Sequence, residues 1–306
     1  MSDTNITITK IIVYKFYSLL GHSCRILFSA FSAKKLVPEK EVSDLNLLLF
    51  TGLKGGKMLK AVLISIYNTW EKIPLLTVVT DGTPTKIIEE HLKFWPYPYK
   101  VKTWEESAAF HLDRGRKSLV DWCRINVFAR KLLAILAEAE QHPTLYCDTD
   151  VLWFAEPPLP VSANGIAMRM SQDNKHYYHM PVIRYFNRQD MLDKPPLNAG
   201  LIYLSGSPYD HYKNFAELID FVKIFHKGIS EQLVFALMAD QLGDSWTPDQ
   251  VIVNTRDLHW PLMPSYLFSG RQFARHHVLT KHSWFWRDAL YILLFKRKKR
   301  RRPAAR

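Results

Sequence analysis

Cysteine is scarce in this chain. Only Cys24, Cys123 and Cys147 occur, scattered, odd in number and without C-x-x-C spacing. That argues against a disulfide framework and a cysteine zinc site, and it suits a reducing cytoplasm. Long apolar runs are missing too. Residues 11–31 come nearest to a bilayer span, but Lys15, His22 and Arg25 interrupt them. They read instead as a helix lying on a surface or packed on a core. The first residues lack the charged opening of a secretory signal. No internal repeat and no linker divides the chain. A G-x-G phosphate loop is also lacking, and residues 52–56 are only a weak approach to one.

What is present is an ordinary globular balance: 306 residues, 47% hydrophobic and 23% charged, enough for one large core. The net charge of +12 is uneven. Residues 296–306 hold eight Lys or Arg and no acid, so the rest is close to neutral. Such a tail can be a solvated, disordered end, a nucleic-acid arm or an anchor on an anionic membrane. Residues 284–295 before it are aromatic and aliphatic. An apolar stretch joined to a cationic cluster favours the membrane surface, and nucleic acid is not expected.

From about residue 45 strands and helices alternate. Strands are expected at 45–50, 74–80, 99–104, 144–147, 166–170 and 200–204. Helices are expected after residue 56, at 83–94, at 118–140 as one long amphipathic segment, at 212–225 and at 230–242. Strand–helix alternation implies an α/β fold around a mostly parallel sheet. Ligands of such sheets sit beyond the carboxyl ends of the strands. Thr51-Gly52, Asp81-Gly82 and Asp148-Thr149-Asp150 all fall at those ends.

The last of these is the most informative. Strand side chains alternate, so Asp148 and Asp150 are expected to share a face. Two adjacent carboxylates repel unless a cation or a proton lies between them. Mg²⁺ or Mn²⁺ commonly bridges such carboxylates to substrate phosphates. The competing reading is a strand-end turn in which aspartate caps local backbone.

Further along lie Lys131 on the helix before the D-x-D, Asn198-Ala-Gly200, Ser230-Glu231-Gln232 at a helix start, His276-His277 and Lys281. Each has a structural explanation of its own. Lys131 could be a solvated helix cation, Asn198 a turn residue, Ser230 a helix cap and either histidine a packed ring. In this order, the set resembles the GT-A glycosyltransferases, most closely the glycogenin and bacterial galactosyltransferase group called family 8, over residues 45–286.

The resemblance implies a GT-A, Rossmann-like fold: a mostly parallel mixed sheet flanked by helices. It implies that Asp148, Asp150 and His276, with His277 as runner-up, hold Mn²⁺ or Mg²⁺. That ion would grip the diphosphate of a nucleotide sugar, with UDP as the expected nucleotide. Asn198 would line the donor sugar. Glu231 would bind sugar hydroxyls or orient the acceptor, and Gln232 would stand near the anomeric carbon. Lys131 would reach the donor and Lys281 a phosphate; Thr51 and Asp81 are expected near the nucleotide from their place at the strand ends, apart from the resemblance. Retention of anomeric configuration is implied as well. The chain departs from the group in two places. No acid follows the first strand at 51–54, and the ending His276-His-Val-Leu-Thr-Lys281 lacks the group's glycine and proline.

The expectation is therefore a metal-dependent hexosyltransferase acting on a carbohydrate or lipid-linked acceptor. Residues 1–43 would be a helical extension, 44–286 the catalytic domain and 287–306 an amphipathic and basic tail. The protein would be cytoplasmic and peripheral at the inner membrane face. The alternatives are a nucleotidyltransferase on a related sheet and a non-catalytic binder of anionic surfaces. The exposed-looking aromatics of 175–179 and 185–186 would be acceptor platforms or core.

Overall fold

A computed structural model describes residues 3–33, 35–161, 165–225, 228–254, 271–278 and 282–296. The chain opens with helix α1 (Asp3–Phe31). Next come β1 (Val42–Thr51), α2 (Gly56–Thr69), β2 (Ile73–Thr80), α3 (Thr85–Leu92), β3 (Tyr99–Thr103) and α4 (Trp104–Leu112). Helices α5 (Lys117–Ile125) and α6 (Val127–Ala139) lead to β4 (Thr144–Cys147), β5 (Val151–Trp153) and β6 (Ala167–Gln172). Then follow α7 (Met180–Tyr185), β7 (Leu197–Ser205), α8 (Pro208–His211), α9 (Phe215–Ile224) and α10 (Ser230–Leu242). Strands β8 (Gly243–Trp246), β9 (Val251–Asn254) and β10 (Ala274–His277) precede the last helix, α11 (His282–Phe295).

The main sheet has seven strands in the order β3-β2-β1-β4-β7-β6-β8. Neighbours are parallel except where β7 runs antiparallel to both β4 and β6. Strand β1 is buried on both faces, which explains its continuous apolar run rather than alternation. Leu48 and, on the next strand, Tyr146 face a core built with α5, α6, α9 and α10. Leu47, Leu49, Leu145 and Cys147 face the other way, onto α2, α3 and α11. A small second sheet, β5-β10-β9, packs beside α2 and α11, with β10 antiparallel to β5 and parallel to β9.

One expectation about the helices fails, and α4 was not expected. The long helix expected over 118–140 is two helices broken at Asn126. Its backbone is extended, at φ −133° and ψ 111°, and its side chain accepts from the Phe128 amide at 2.9 Å. An asparagine that satisfies the next turn's amide ends one helix and caps the other. The segment after β3 is itself helical. Its start carries the Thr103-x-x-Glu106 pattern, with the Thr103 amide donating to the Glu106 carboxylate at 2.9 Å.

Helix α1 packs along α11, with Cys24 and Phe28 buried and the Phe28 ring 5.6 Å from that of Trp286. No helix among the described residues is long and apolar enough to cross a membrane.

Candidate active site

Strand β4 stops at Cys147, so the D-x-D does not lie on a strand, as side-chain alternation would require. Asp148 continues the ladder by one bond, its amide donating to the Gly200 carbonyl at 2.8 Å. The chain then turns, the Val151 amide returning to the Asp148 carbonyl at 3.1 Å. The turn, not alternation, brings the two carboxylates together. Its far end is fixed to the small sheet, where the His277 amide donates to the Asp150 carbonyl at 3.0 Å.

That bond sets His276 beside the turn. His276 Nε2 lies 3.1 Å from Asp150 Oδ1 and 3.7 Å from Asp148 Oδ2. One ligand atom from each of the three residues falls within 4.8 Å of the others. Adjacent ligands of an octahedral ion with bonds of about 2.1 Å stand roughly 3 Å apart, so the spacing suits such an ion. Two carboxylates and an imidazole are a donor set that Mn²⁺ or Mg²⁺ accepts. Burial alone would lower the His276 pKa. The Asp150 carboxylate, with Asp148 and Asp173 beyond it, outweighs burial and raises it.

His277 points to the opposite face of β10. Its ring is fully buried, edge-on to Phe285, with Nε2 3.4 Å from the Asp288 carboxylate. Arg275, two residues earlier, shares that face and reaches Asp288 at 3.1 Å. Strand alternation therefore places His276, not His277, beside the two aspartates.

A buried pair adjoins the trio. Lys131 Nζ lies 3.4 Å from Glu231 Oε1 and 5.6 Å from the centre of the Tyr146 ring. Burial would lower the lysine's pKa, but Asp148, Glu231 and Asp150 together raise it. The Glu231 pKa is pushed up by burial, against the pull of Lys131. Glu231 Oε2 is buried with no hydrogen-bond partner. Tyr146 donates its hydroxyl to Asp148.

Asn198 and Gln232 hold the strand beside these groups. Asn198 Oδ1 accepts from the Gly200 amide at 2.7 Å, and its Nδ2 donates to Asp173 Oδ2 at 2.7 Å. Gln232 Nε2 donates to the Leu197 carbonyl at 2.9 Å. Gly200 is required by close approach. A Cβ there would sit 2.1 Å from His276 Cε1 and 2.5 Å from Nδ1. Ser230 does not cap α10; its hydroxyl lies 3.5 Å from Asn126 Nδ2, and the cap position is Ile229.

Thr51 and Asp81 meet at the ends of β1 and β2, the Asp81 amide donating to the Thr51 carbonyl at 3.2 Å. The Asp81 carboxylate is taken by Thr83, whose amide and hydroxyl donate at 3.1 and 2.8 Å. Lys281 lies outside the described residues. The structure adds three residues to those read from sequence. Tyr146 and Asp173 touch site carboxylate or amide groups directly. Arg130 stacks 4.3 Å from the Trp104 ring centre and donates to the Asp81 carbonyl at 2.7 Å. The only sequence signal for Arg130 was its place beside Lys131. Of the aromatics, Tyr178 faces inward, accepting from the Leu197 amide at 3.0 Å, while Tyr185 is exposed and stacked on Phe221.

No known sequence family matches the chain, and no curated protein does. Solved structures do. Mouse xyloside xylosyltransferase 1, in its apo form, superposes with a TM-score of 0.53 at 12% identity, over 78% of this chain and 98% of that one. The bifunctional glycosyltransferase WbbM, also apo, gives a TM-score of 0.51 at 12% identity over 85% of this chain. This chain has a divergent GT-A glycosyltransferase fold. It spans about half of WbbM, 51% of that chain. In GT-A terms the Asp148–Asp150 turn, Lys131 and Glu231 occupy the carboxyl side of the parallel strands, where ligands of such sheets bind.

Proposed function

We propose that the chain is a metal-dependent hexosyltransferase. It takes a sugar from a nucleotide-diphosphate donor, with UDP as the expected nucleotide, and passes it to a carbohydrate or lipid-linked acceptor. The observation that carries this reading is the meeting of Asp148, Asp150 and His276 within 4.8 Å. Asp148, Asp150 and His276 would hold Mn²⁺ or Mg²⁺. When bound, that ion supplies positive charge to the departing diphosphate.

Lys131 adds a second cation to the phosphate end, kept charged by the acids around it. Thr51 and Asp81 frame the nucleotide, with Arg130 fixing the Asp81 turn. Lys281 is assigned to a phosphate on sequence grounds. Glu231 offers its free oxygen to a sugar hydroxyl or to the acceptor, a polar group that is costly to leave unpaired once buried. Gln232 stands by the anomeric carbon. Asn198 orients strand β7 along the donor sugar while Asp173 fixes its amide. The catalytic unit is 44–286, with residues 1–43 and 287–306 as additions that meet a membrane. The basic tail would bring a cytoplasmic enzyme to the anionic inner face.

The test is turnover. Purified protein is mixed with a panel of UDP-hexoses and Mn²⁺, and UDP release is followed. The proposal expects release with at least one donor, loss on chelation, and loss in Asp150→Ala. Release that is equal with and without metal would overturn it.

A further inference from the structure

Strand β4 sends Leu145 and Cys147 to one side of the sheet and Tyr146 to the other, toward α6. Tyr146 lies opposite Leu48 of β1 and Ile202 of β7. Asp148 keeps one more ladder bond, to Gly200, and so stands two residues on from Tyr146 on the same face. There the ladder ends. The Asp148 side chain is the most exposed of the trio, 33% against 15% for Asp150 and 6% for His276. A carboxylate at a strand end can rotate unless a neighbour holds it.

The neighbour is Tyr146. Among the described residues, the Asp148 carboxylate accepts one hydrogen bond, at Oδ1 from the Tyr146 hydroxyl. Its other oxygen, Oδ2, faces His276 Nε2 at 3.7 Å. The two oxygens are thereby divided, one to the phenol and one to the point where the trio meets. The tyrosine is itself fixed. It is fully buried in the core shared with α6, and Lys131 Nζ stands 5.6 Å from the centre of its ring. Phenylalanine would serve that packing equally well, so the hydroxyl is the part that packing does not explain. Burial and the adjacent acids hold the phenol well above its ordinary pKa, which keeps it a donor.

We infer that Tyr146 is a positioning residue for the metal ligand Asp148: its hydroxyl takes Oδ1 and so aims Oδ2 at the ion. The inference rests on the metal reading above and adds the group that sets the ligand's orientation. Hydrogen-bond partners of ligating carboxylates typically contribute roughly 10–100-fold in metal affinity. An acceptor that is charged makes such a bond stronger than one between neutral groups.

The experiment is titration of Mn²⁺ into the metal-free full chain without nucleotide, with free ion counted by electron paramagnetic resonance. Wild type is compared with Tyr146→Phe and Tyr67→Phe. Tyr67 is buried beside Tyr97 in the core on the other side of the sheet, and its hydroxyl donates to the Val37 carbonyl at 2.9 Å. It reports the general cost of losing a core hydroxyl. Tyr146→Phe keeps the ring face under Lys131 and loses only the bond to Asp148. It is expected to bind Mn²⁺ roughly 10–100-fold more weakly while melting close to wild type. Tyr67→Phe is expected to bind Mn²⁺ as wild type does. Wild-type affinity in Tyr146→Phe would overturn the inference and leave the metal site standing. An equal loss in Tyr67→Phe, or a Tyr146→Phe chain that melts far below wild type, would make the hydroxyl structural and overturn it too. Wild type that takes up no Mn²⁺ would remove the metal reading and the inference with it.

Discussion

Gly200 and His276 occupy one space. The imidazole lies where a Cβ on residue 200 would be, 2.1 Å from Cε1. Strand β7 therefore needs glycine at this point so that a ring from the small sheet can reach the two aspartates. Gly200→Ala should leave the sheet folded but push the ring off the carboxylates. Metal-dependent UDP binding should weaken at least tenfold, measured by titration calorimetry, with melting changed little. Unchanged binding would show that the ring's position does not matter.

The two neighbouring histidines should separate cleanly. His276→Ala should abolish metal-dependent nucleotide binding at modest cost in stability. His277→Gln should do the reverse, because it breaks a buried contact with Asp288 remote from the trio. The expected cost is about 1–3 kcal/mol by denaturant titration. Equal effects of the two substitutions on metal affinity would contradict the face assignment.

Acidity should act on the site in two opposite senses. A bound ion needs neutral imidazole, and His276 holds its proton above the ordinary 6.5. Below the folded pKa, apparent metal affinity should fall up to about tenfold per pH unit, with one proton released per ion bound. In metal-free protein the raised pKa stabilises the folded state. That contribution is fully present below the unfolded value of 6.5 and is lost as pH rises through the folded pKa. Calorimetry in buffers of different ionisation enthalpy counts the proton. Metal affinity that does not vary between acid and neutral pH would contradict the ligand role of His276.

Glu231 is a carboxylate that burial drives towards its neutral form. Glu231→Gln keeps the shape and removes that charge, and Lys131 retains Asp148 as a partner. Stability should fall, by up to about 3–5 kcal/mol where Asp148 does not compensate Lys131, since removing one partner of a buried ion pair leaves the other charge unpaired. Turnover should fall roughly 100-fold or more with donor KM little changed. A variant with normal kcat would reduce Glu231 to a structural acid.

Six strands of the main sheet and the helices expected between them were legible because apolar runs and turn residues repeat the pattern locally, whereas β5, β8, β9 and β10 were not expected. The D-x-D was legible too, but for an incomplete reason: its carboxylates converge through a turn between two sheets, which side-chain periodicity cannot express. Asn126 was a local signal that the longer amphipathic pattern overrode, and the Thr103–Glu106 box was a local signal left unread. Other features depend on contacts remote in sequence. Lys131 meets Glu231, and Asp173 meets Asn198, only once α6, β6, β7 and α10 are packed. Which of His276 and His277 faces the aspartates follows from the pairing of β10 with β5, which no spacing of residues near 276 encodes.

The central claim is a metal-dependent nucleotide site at Asp148, Asp150 and His276. Isothermal titration of UDP into the full chain, with and without Mn²⁺, in wild type and Asp150→Ala, tests it most directly. The account predicts binding in wild type only when Mn²⁺ is present, and none in the variant under either condition. Metal-independent binding that survives Asp150→Ala, or no binding in wild type with Mn²⁺, would contradict it.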